Sequence, residues 1–168
     1  QAETLSNGEA KGAFDVAVMP LVIFFVPDPA KGVAEMARVL RPGGMAAAYA
    51  WDMDGGGFPY DLVHRTLEEL GAAPPKAPSM AASRLDEMAR LWQAAGFEAI
   101  ETRPISVQRS YADFDEYWAI LEGGPSVSAT LASLPPAGID TLQRRLRESL
   151  PPDATGRITC SARANASR

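Results

Sequence analysis

The sequence predicts an α/β protein: a mainly parallel sheet between two layers of helices, an αβα arrangement of three layers. Two short runs carry this prediction. Residues 14–19 (FDVAVM) and 45–51 (MAAAYAW) are nearly continuously apolar and too short for helices, as strands covered on both faces are. Between them lies a stretch whose apolar residues recur with helical period, so strand, helix and strand follow one another as in a βαβ crossover. The size agrees, since 168 residues, 46% apolar and 22% charged, suit one domain with its own core.

The elements follow in order. Residues 1–12 are polar and lead into the first strand. After Val26-Pro27, Asp28 stands at an N-cap position and Pro29 at the first helical place, where a missing N–H costs nothing. Val33, Met36, Ala37 and Leu40 form one apolar stripe, with Lys31, Glu35, Arg38 and Arg41 elsewhere. Pro42-Gly43-Gly44 ends the helix, the glycines supplying positive φ where the chain reverses. Beyond the second strand, Asp52-Met53-Asp54-Gly55-Gly56-Gly57-Phe58 reads as a flexible loop at the strand's carboxyl end, the edge where open α/β sheets hold ligands.

Residues 60–70 read as a helix with Leu62, Val63, Leu67 and Leu70 on one side, and the Pro-rich residues 72–78 as a linker. Ser83 and Asp86 have capping-box spacing ahead of a helix bearing Leu85, Met88, Trp92 and Ala95, which Gly96 ends. Residues 97–111 read as an extended strand bent near Pro104. Asp113 and Glu116 repeat the capping box, and Phe114, Tyr117, Trp118 and Leu121 line the buried face of the helix that follows. Helices over 127–134 and 139–150 stop at Pro151-Pro152. Finally Ile158, Cys160, Ala162, Ala164 and Ala166 alternate with Arg157, Thr159, Ser161, Arg163 and Asn165, as in a strand with one wet face.

Composition excludes several functions. With 16 basic against 21 acidic residues, a net charge of -5 and no basic run, a surface that tracks nucleic-acid phosphates is not expected. One histidine and one cysteine cannot build a His/Cys metal centre, so no metal is expected. The longest apolar stretch, residues 17–26, is broken by Pro20 and falls far short of the roughly 20 residues of a bilayer span. No charged-then-apolar leader follows Gln1, and a cytoplasmic location is expected.

Phe14-Asp15-Val16-Ala17-Val18, then Val26-Pro27-Asp28-Pro29, then Glu35-Met36-Ala37-Arg38-Val39-Leu40-Arg41-Pro42-Gly43-Gly44 closely resembles the second half of class I S-adenosylmethionine-dependent methyltransferases. In particular it looks like the small-molecule branch related to ubiquinone and menaquinone biosynthesis methyltransferases. A helix ending in Ala95-Gly96-Phe97 and a late strand over 156–166 extend the resemblance to most of the chain. It implies a Rossmann-like sheet with a late antiparallel strand, S-adenosylmethionine as cofactor, and a helical insertion around 113–150 on the substrate side. The family's Gly-rich cofactor loop has no counterpart here: Gly55-Gly56-Gly57 and Gly123-Gly124 have the wrong spacing. The resemblance therefore implies a C-terminal portion whose N-terminal half is missing, with weak or no cofactor binding by these residues alone.

It also implies site residues. Ala2 and Glu3, in a stretch like the family's D-A-x-x-L, would lie against adenine, although Gln1 stands where Asp is usual. Met19, Pro20, Leu21 and Val22 would lie by the methionine arm, and Trp51, Asp52, Phe58 and His64 on the substrate side. No single catalytic residue is implied, because in-line transfer from a sulfonium depends mainly on proximity and orientation. Each residue also has a plainer reading. Residues 19–22 could be a buried strand end, Trp51 core, Asp52 a turn former, and His64 a solvated helix residue. Tyr117 and Trp118 read as core or lid packing, and Cys160 as an inert buried thiol.

Three functional readings compete. The first is methyl transfer to a small, partly apolar molecule. The second is a degenerate, non-catalytic module of the same fold that binds or dimerises. The third is a nicotinamide-dependent Rossmann protein, disfavoured by the absent glycine fingerprint and Tyr-x-x-x-Lys pattern. Partners expected are a small-molecule substrate, no nucleic acid and no membrane, with a homodimer as the alternative to a monomer, because a bared sheet edge favours association.

Overall fold

Strand β1 (Phe14–Pro20) and strand β2 (Leu40–Trp51) pair in parallel, joined by helix α1 (Pro29–Val39), as the crossover pattern requires. The structure is a computed structural model and describes residues 11–125 and 127–168. The further elements are α2 (Asp61–Glu69), α3 (Leu85–Ala94), β3 (Thr102–Tyr111), α4 (Phe114–Glu122), α5 (Ser128–Ser133), α6 (Pro136–Ser149) and β4 (Ile158–Ser167). The strand order is β1-β2-β4-β3, and β4 runs antiparallel to β2. This is the mixed α/β architecture expected, with the late strand lodged inside the sheet. The described residues divide into two compact units, one of residues 11–56, 77–105 and 164–168, the other of residues 57–76, 106–125 and 127–163.

In the first unit, Asp28 caps α1 by accepting the Lys31 N–H at 3.0 Å, with Pro29 at the first helical position. The buried side of α1 (Val33, Met36) and that of α3 (Met88, Leu91, Trp92) pack with Ala46, Ala48 and Ala50 of β2 into one core. Alanines at alternate β2 positions let the helices lie close to the sheet. On the opposite face of β1 and β2, Phe14, Val16, Val18, Met45 and Tyr49 are 40–56% exposed. Farther along the sheet, Glu101 and Arg168 exchange both backbone hydrogen bonds at 2.9 Å, the antiparallel pattern.

The Pro42-Gly43-Gly44 segment behaves differently from the sequence expectation. The helix ends at Val39, and the residues between Leu40 and Met45 bulge out of the β1–β2 register. Only Gly43 has a positive φ, +77°. Gly44 is needed for closeness instead: a Cβ there would meet the Arg41 and Asp15 carbonyl oxygens at 2.9 and 3.1 Å. An Arg41–Asp15 ion pair of 2.6 Å bridges the bulge to β1.

The second unit is mostly helical. Val63 and Leu67 of α2, Phe114, Tyr117, Trp118 and Leu121 of α4, Leu131 of α5, and Leu142 and Leu146 of α6 share a core with Tyr111 and Ile158. Asp113 accepts the Glu116 N–H at 2.9 Å and the Glu116 carboxylate accepts the Ala112 N–H, so the expected box forms one residue out of register. Helix α6 begins at Pro136, three residues before the expected start, because Pro135 and Pro136 fit the N-cap and first turn, where no N–H is needed.

Two expectations are corrected here. Ser83 does not cap α3: Arg84 holds the N-cap position and the helix has no side-chain cap. Asn165 does not face water but is 4% exposed, with Ser167 at 3%, because the end of β4 is covered on both faces.

Candidate functional site

The carboxyl ends of the parallel strands β1 and β2 lie side by side, with Pro20 opposite Tyr49. Such an edge is where open α/β sheets take ligands, because the chain leaves the sheet there and side chains and backbone groups are freed to face outward. Leu21 follows Pro20 and donates its N–H to the Tyr49 carbonyl at 2.7 Å. Its φ is +51°, left-handed backbone that costs a branched side chain on the order of 1–2 kcal/mol. Strained backbone of this kind concentrates at ligand sites, where the surrounding structure over-determines it. Here the surroundings do so: Ile23 and Phe24 are buried at 0% and 3% in the short 3-10 turn that follows, and Pro20 is held by β2.

Met19 turns its side chain toward the helix layer, its methyl 3.7 Å from where a Cβ on Gly32 would lie. Pro20 is exposed and Leu21 and Val22 are half-buried. At the end of β2, Trp51 is half-buried and packs against the first core. Asp52 is 8% exposed and accepts the Gly55 N–H at 3.0 Å, closing a turn as a short acidic side chain beside glycines does. The next amide, Met53 N–H, goes to the Ser83 hydroxyl at 3.2 Å.

Phe58 and His64 belong to the second unit, where they meet each other. Their ring centroids are 5.0 Å apart, and the Tyr60 ring meets Phe58 edge-on at 5.6 Å. His64 is half-buried rather than solvated, its place on α2 set by its N–H donated to the Tyr60 carbonyl. The sequence candidates thus fall into two groups: Met19, Pro20, Leu21, Val22, Trp51 and Asp52 on one sheet edge, Phe58 and His64 in one aromatic cluster. Ala2 and Glu3 lie outside the described residues.

Burial pushes the Tyr111 and Tyr117 phenols and the Cys160 thiol upward, so all three remain protonated near neutral pH and none is primed as a nucleophile. Among the described residues no group of three His, Cys, Asp or Glu side chains could hold a metal ion, and no helix is long and apolar enough to cross a membrane. Sequence reasoning missed Ser83 and Asn165, which look like a cap and a solvent-facing strand residue. A polar side chain directly before a helix gives no local sign that its hydroxyl is used by a loop 30 residues away.

A family model described as a methyltransferase domain matches residues 2–48, the stretch that includes β1, α1 and most of β2. A proposed methyltransferase from Bacillus halodurans superposes with a TM-score of 0.52 at 12% identity, covering 94% of this chain and 70% of that one. The fold is that of a methyltransferase domain. A proposed methyltransferase from an antibiotic biosynthesis pathway of Anabaena variabilis gives 0.54 at 16% identity, covering 94% and 68%. A proposed type II methyltransferase from Anaeromyxobacter dehalogenans gives 0.52 at 17%, covering 96% and 66%. The chain thus spans about two thirds of the length of these methyltransferase-fold proteins. A search of the curated proteins found no match.

Proposed function

We propose that this chain takes part in S-adenosylmethionine-dependent methyl transfer to a small-molecule acceptor, as a portion of the catalytic domain. The observation that carries the proposal is the left-handed Leu21, held in strain at the carboxyl end of β1 beside the end of β2. The family match over residues 2–48 supports it.

The residues present suit a cationic sulfonium better than a pyrophosphate. Residues 16–27 and 45–58 contain no Lys or Arg but do contain Asp52 and Asp54, and Trp51 offers a π face for a cation. When bound, S-adenosylmethionine supplies a methyl group on a positively charged sulfur that is already a good leaving group. The chain's part is to orient: residues 20–22 present backbone beside the methionine arm, and the loop after Trp51 shapes the acceptor side. Protonated Tyr111, Tyr117 and Cys160 are not called on. The resemblance to the ubiquinone and menaquinone branch favours a partly apolar acceptor, and a cytoplasmic setting fits the same reading.

A titration of the isotope-labelled chain with S-adenosylhomocysteine, followed by amide NMR, tests this. Expected are weak, saturable shifts at Leu21, Val22 and the Trp51 indole, with no response to a nicotinamide dinucleotide. Shifts confined to other residues, an equal response to the dinucleotide, or tight binding without the missing half would reject it.

A further inference from the structure

The loop after β2 is fixed by two polar side chains that come from elsewhere in the first unit. Ser83 is fully buried. Its hydroxyl donates to the Met80 carbonyl at 2.7 Å, which commits its one proton and turns a lone pair toward the Met53 N–H at 3.2 Å. Its carbonyl accepts from the Asn165 side-chain amide at 2.9 Å. Asn165, 4% exposed, sits on β4 directly opposite Ala50 of β2. Ser83 therefore links the 3-10 turn before α3, the loop leaving β2 and the final strand.

Burying a serine and an asparagine in an apolar core costs free energy unless they are satisfied, and an apolar pair would fill the same space without that cost. The bonds they make fall on the segment where the acceptor side begins: Met53 is two residues beyond Trp51 and adjoins Asp52, whose own carboxylate holds the Gly55 N–H. The glycine-rich loop has little stiffness of its own. Its shape is imposed from outside.

We propose that Ser83 and Asn165 are positioning residues that set the conformation of the Asp52–Gly55 loop and so the acceptor side of the site. The proposal rests on the methyl-transfer reading for what the loop serves, but the latch itself can be measured without any ligand. Site-resolved hydrogen exchange on the unliganded chain is the test. In the wild-type chain the Met53 and Gly55 amides should exchange on the order of tenfold more slowly than that of Asp54. Ser83→Ala should erase the protection of Met53 while Ala48 in β2 and Val33 in α1 keep theirs. Ser83→Cys, which retains a weak acceptor, should restore part of it, and Asn165→Ala should loosen Met53 a few-fold through the unpaired Ser83 carbonyl.

A second readout follows the loop. In Ser83→Ala the shift that S-adenosylhomocysteine causes at Leu21 should persist while that of the Trp51 indole changes. Wild-type Met53 exchanging as fast as Asp54 would overturn the latch even if the variants fail to fold. Uniformly faster exchange throughout the first unit in Ser83→Ala would also overturn it, by assigning Ser83 to general stability. If the exchange pattern holds but the wild-type ligand shifts fall only on residues away from Leu21, Val22 and Trp51, the latch stands and the methyl-transfer reading falls.

Discussion

Replacing the two adjacent glycines of the β1–β2 bulge one at a time should give unequal losses for different reasons. At Gly44 a new Cβ would lie 2.9 Å from the Arg41 carbonyl oxygen, 3.1 Å from that of Asp15 and 3.2 Å from Leu40 Cβ. The two oxygens are backbone and cannot swing aside, so the paired strands must part by a few tenths of an ångström. Overpacking of this kind costs about 1–3 kcal/mol, and the reduced freedom of the unfolded chain returns about 0.4–1 kcal/mol. A net loss of about 1–2 kcal/mol is expected for Gly44→Ala. At Gly43 nothing lies within 4 Å of the new atom, but φ is +77°. Left-handed alanine costs about 1–2 kcal/mol before the same return, leaving a net loss of about 1 kcal/mol. The diagnostic substitution is asparagine, which tolerates left-handed backbone: Gly43→Asn should be milder than Gly43→Ala, whereas Gly44→Asn should be at least as harmful as Gly44→Ala. Urea unfolding followed by circular dichroism measures all four. A harmless Gly44→Ala, or a Gly43→Asn as damaging as Gly44→Ala, would refute the assignment of closeness to one glycine and handedness to the other.

Other substitutions test neighbouring claims. Asp28→Ala removes the acceptor of the Lys31 N–H and should cost about 1 kcal/mol in urea unfolding, with Asp28→Asn recovering most of it. Ala99 is exposed with a φ of +52°, so Ala99→Gly relieves left-handed strain of about 1–2 kcal/mol against about 0.5–1 kcal/mol of added unfolded-state entropy; the thermal midpoint should hold or rise by a few degrees. Burial raises the Tyr117 phenol above its ordinary 10.0. Its folded state therefore holds the proton while the unfolded state releases it, so its stabilising contribution is complete below pH 10 and is lost as pH climbs toward the folded value. Ultraviolet titration should show a late-ionising phenol that Tyr117→Phe abolishes, together with a shallower alkaline loss of stability.

Much of the fold was legible in the sequence because its signals are local. The Asp28-Pro29 cap, the stripe through Val33 and Met36, and the aromatic face of α4 depend on residues within a turn or two, and the structure places them as the spacing implies. The site was legible only in position. That residues 19–22 and 51–52 end adjacent strands follows from the βαβ pattern, but the left-handed turn at Leu21 does not, since leucine gives no conformational warning. Met19 is turned toward the helices because strand alternation, not polarity, decides its face. Asn165 sits in an alternating pattern that describes a strand wet on one side, and nothing near it in sequence reveals that distant segments cover both of its faces. Contacts made over 30 and 82 residues leave no trace in a short window.

The placement of β4 has a consequence for how the chain is made. The strand over residues 158–167, made long after β2, is the one that fits against the inner edge of β2, with Ala48 opposite Ser167 and Trp51 opposite Ala164. Until residues 158–167 have left the exit tunnel, β2 keeps an unfilled border and Ser83 lacks the amide that steadies it. Nascent chains halted before that point should remain vulnerable to proteases and recruit chaperones, and chains halted well after residue 167 has emerged should lose both traits together.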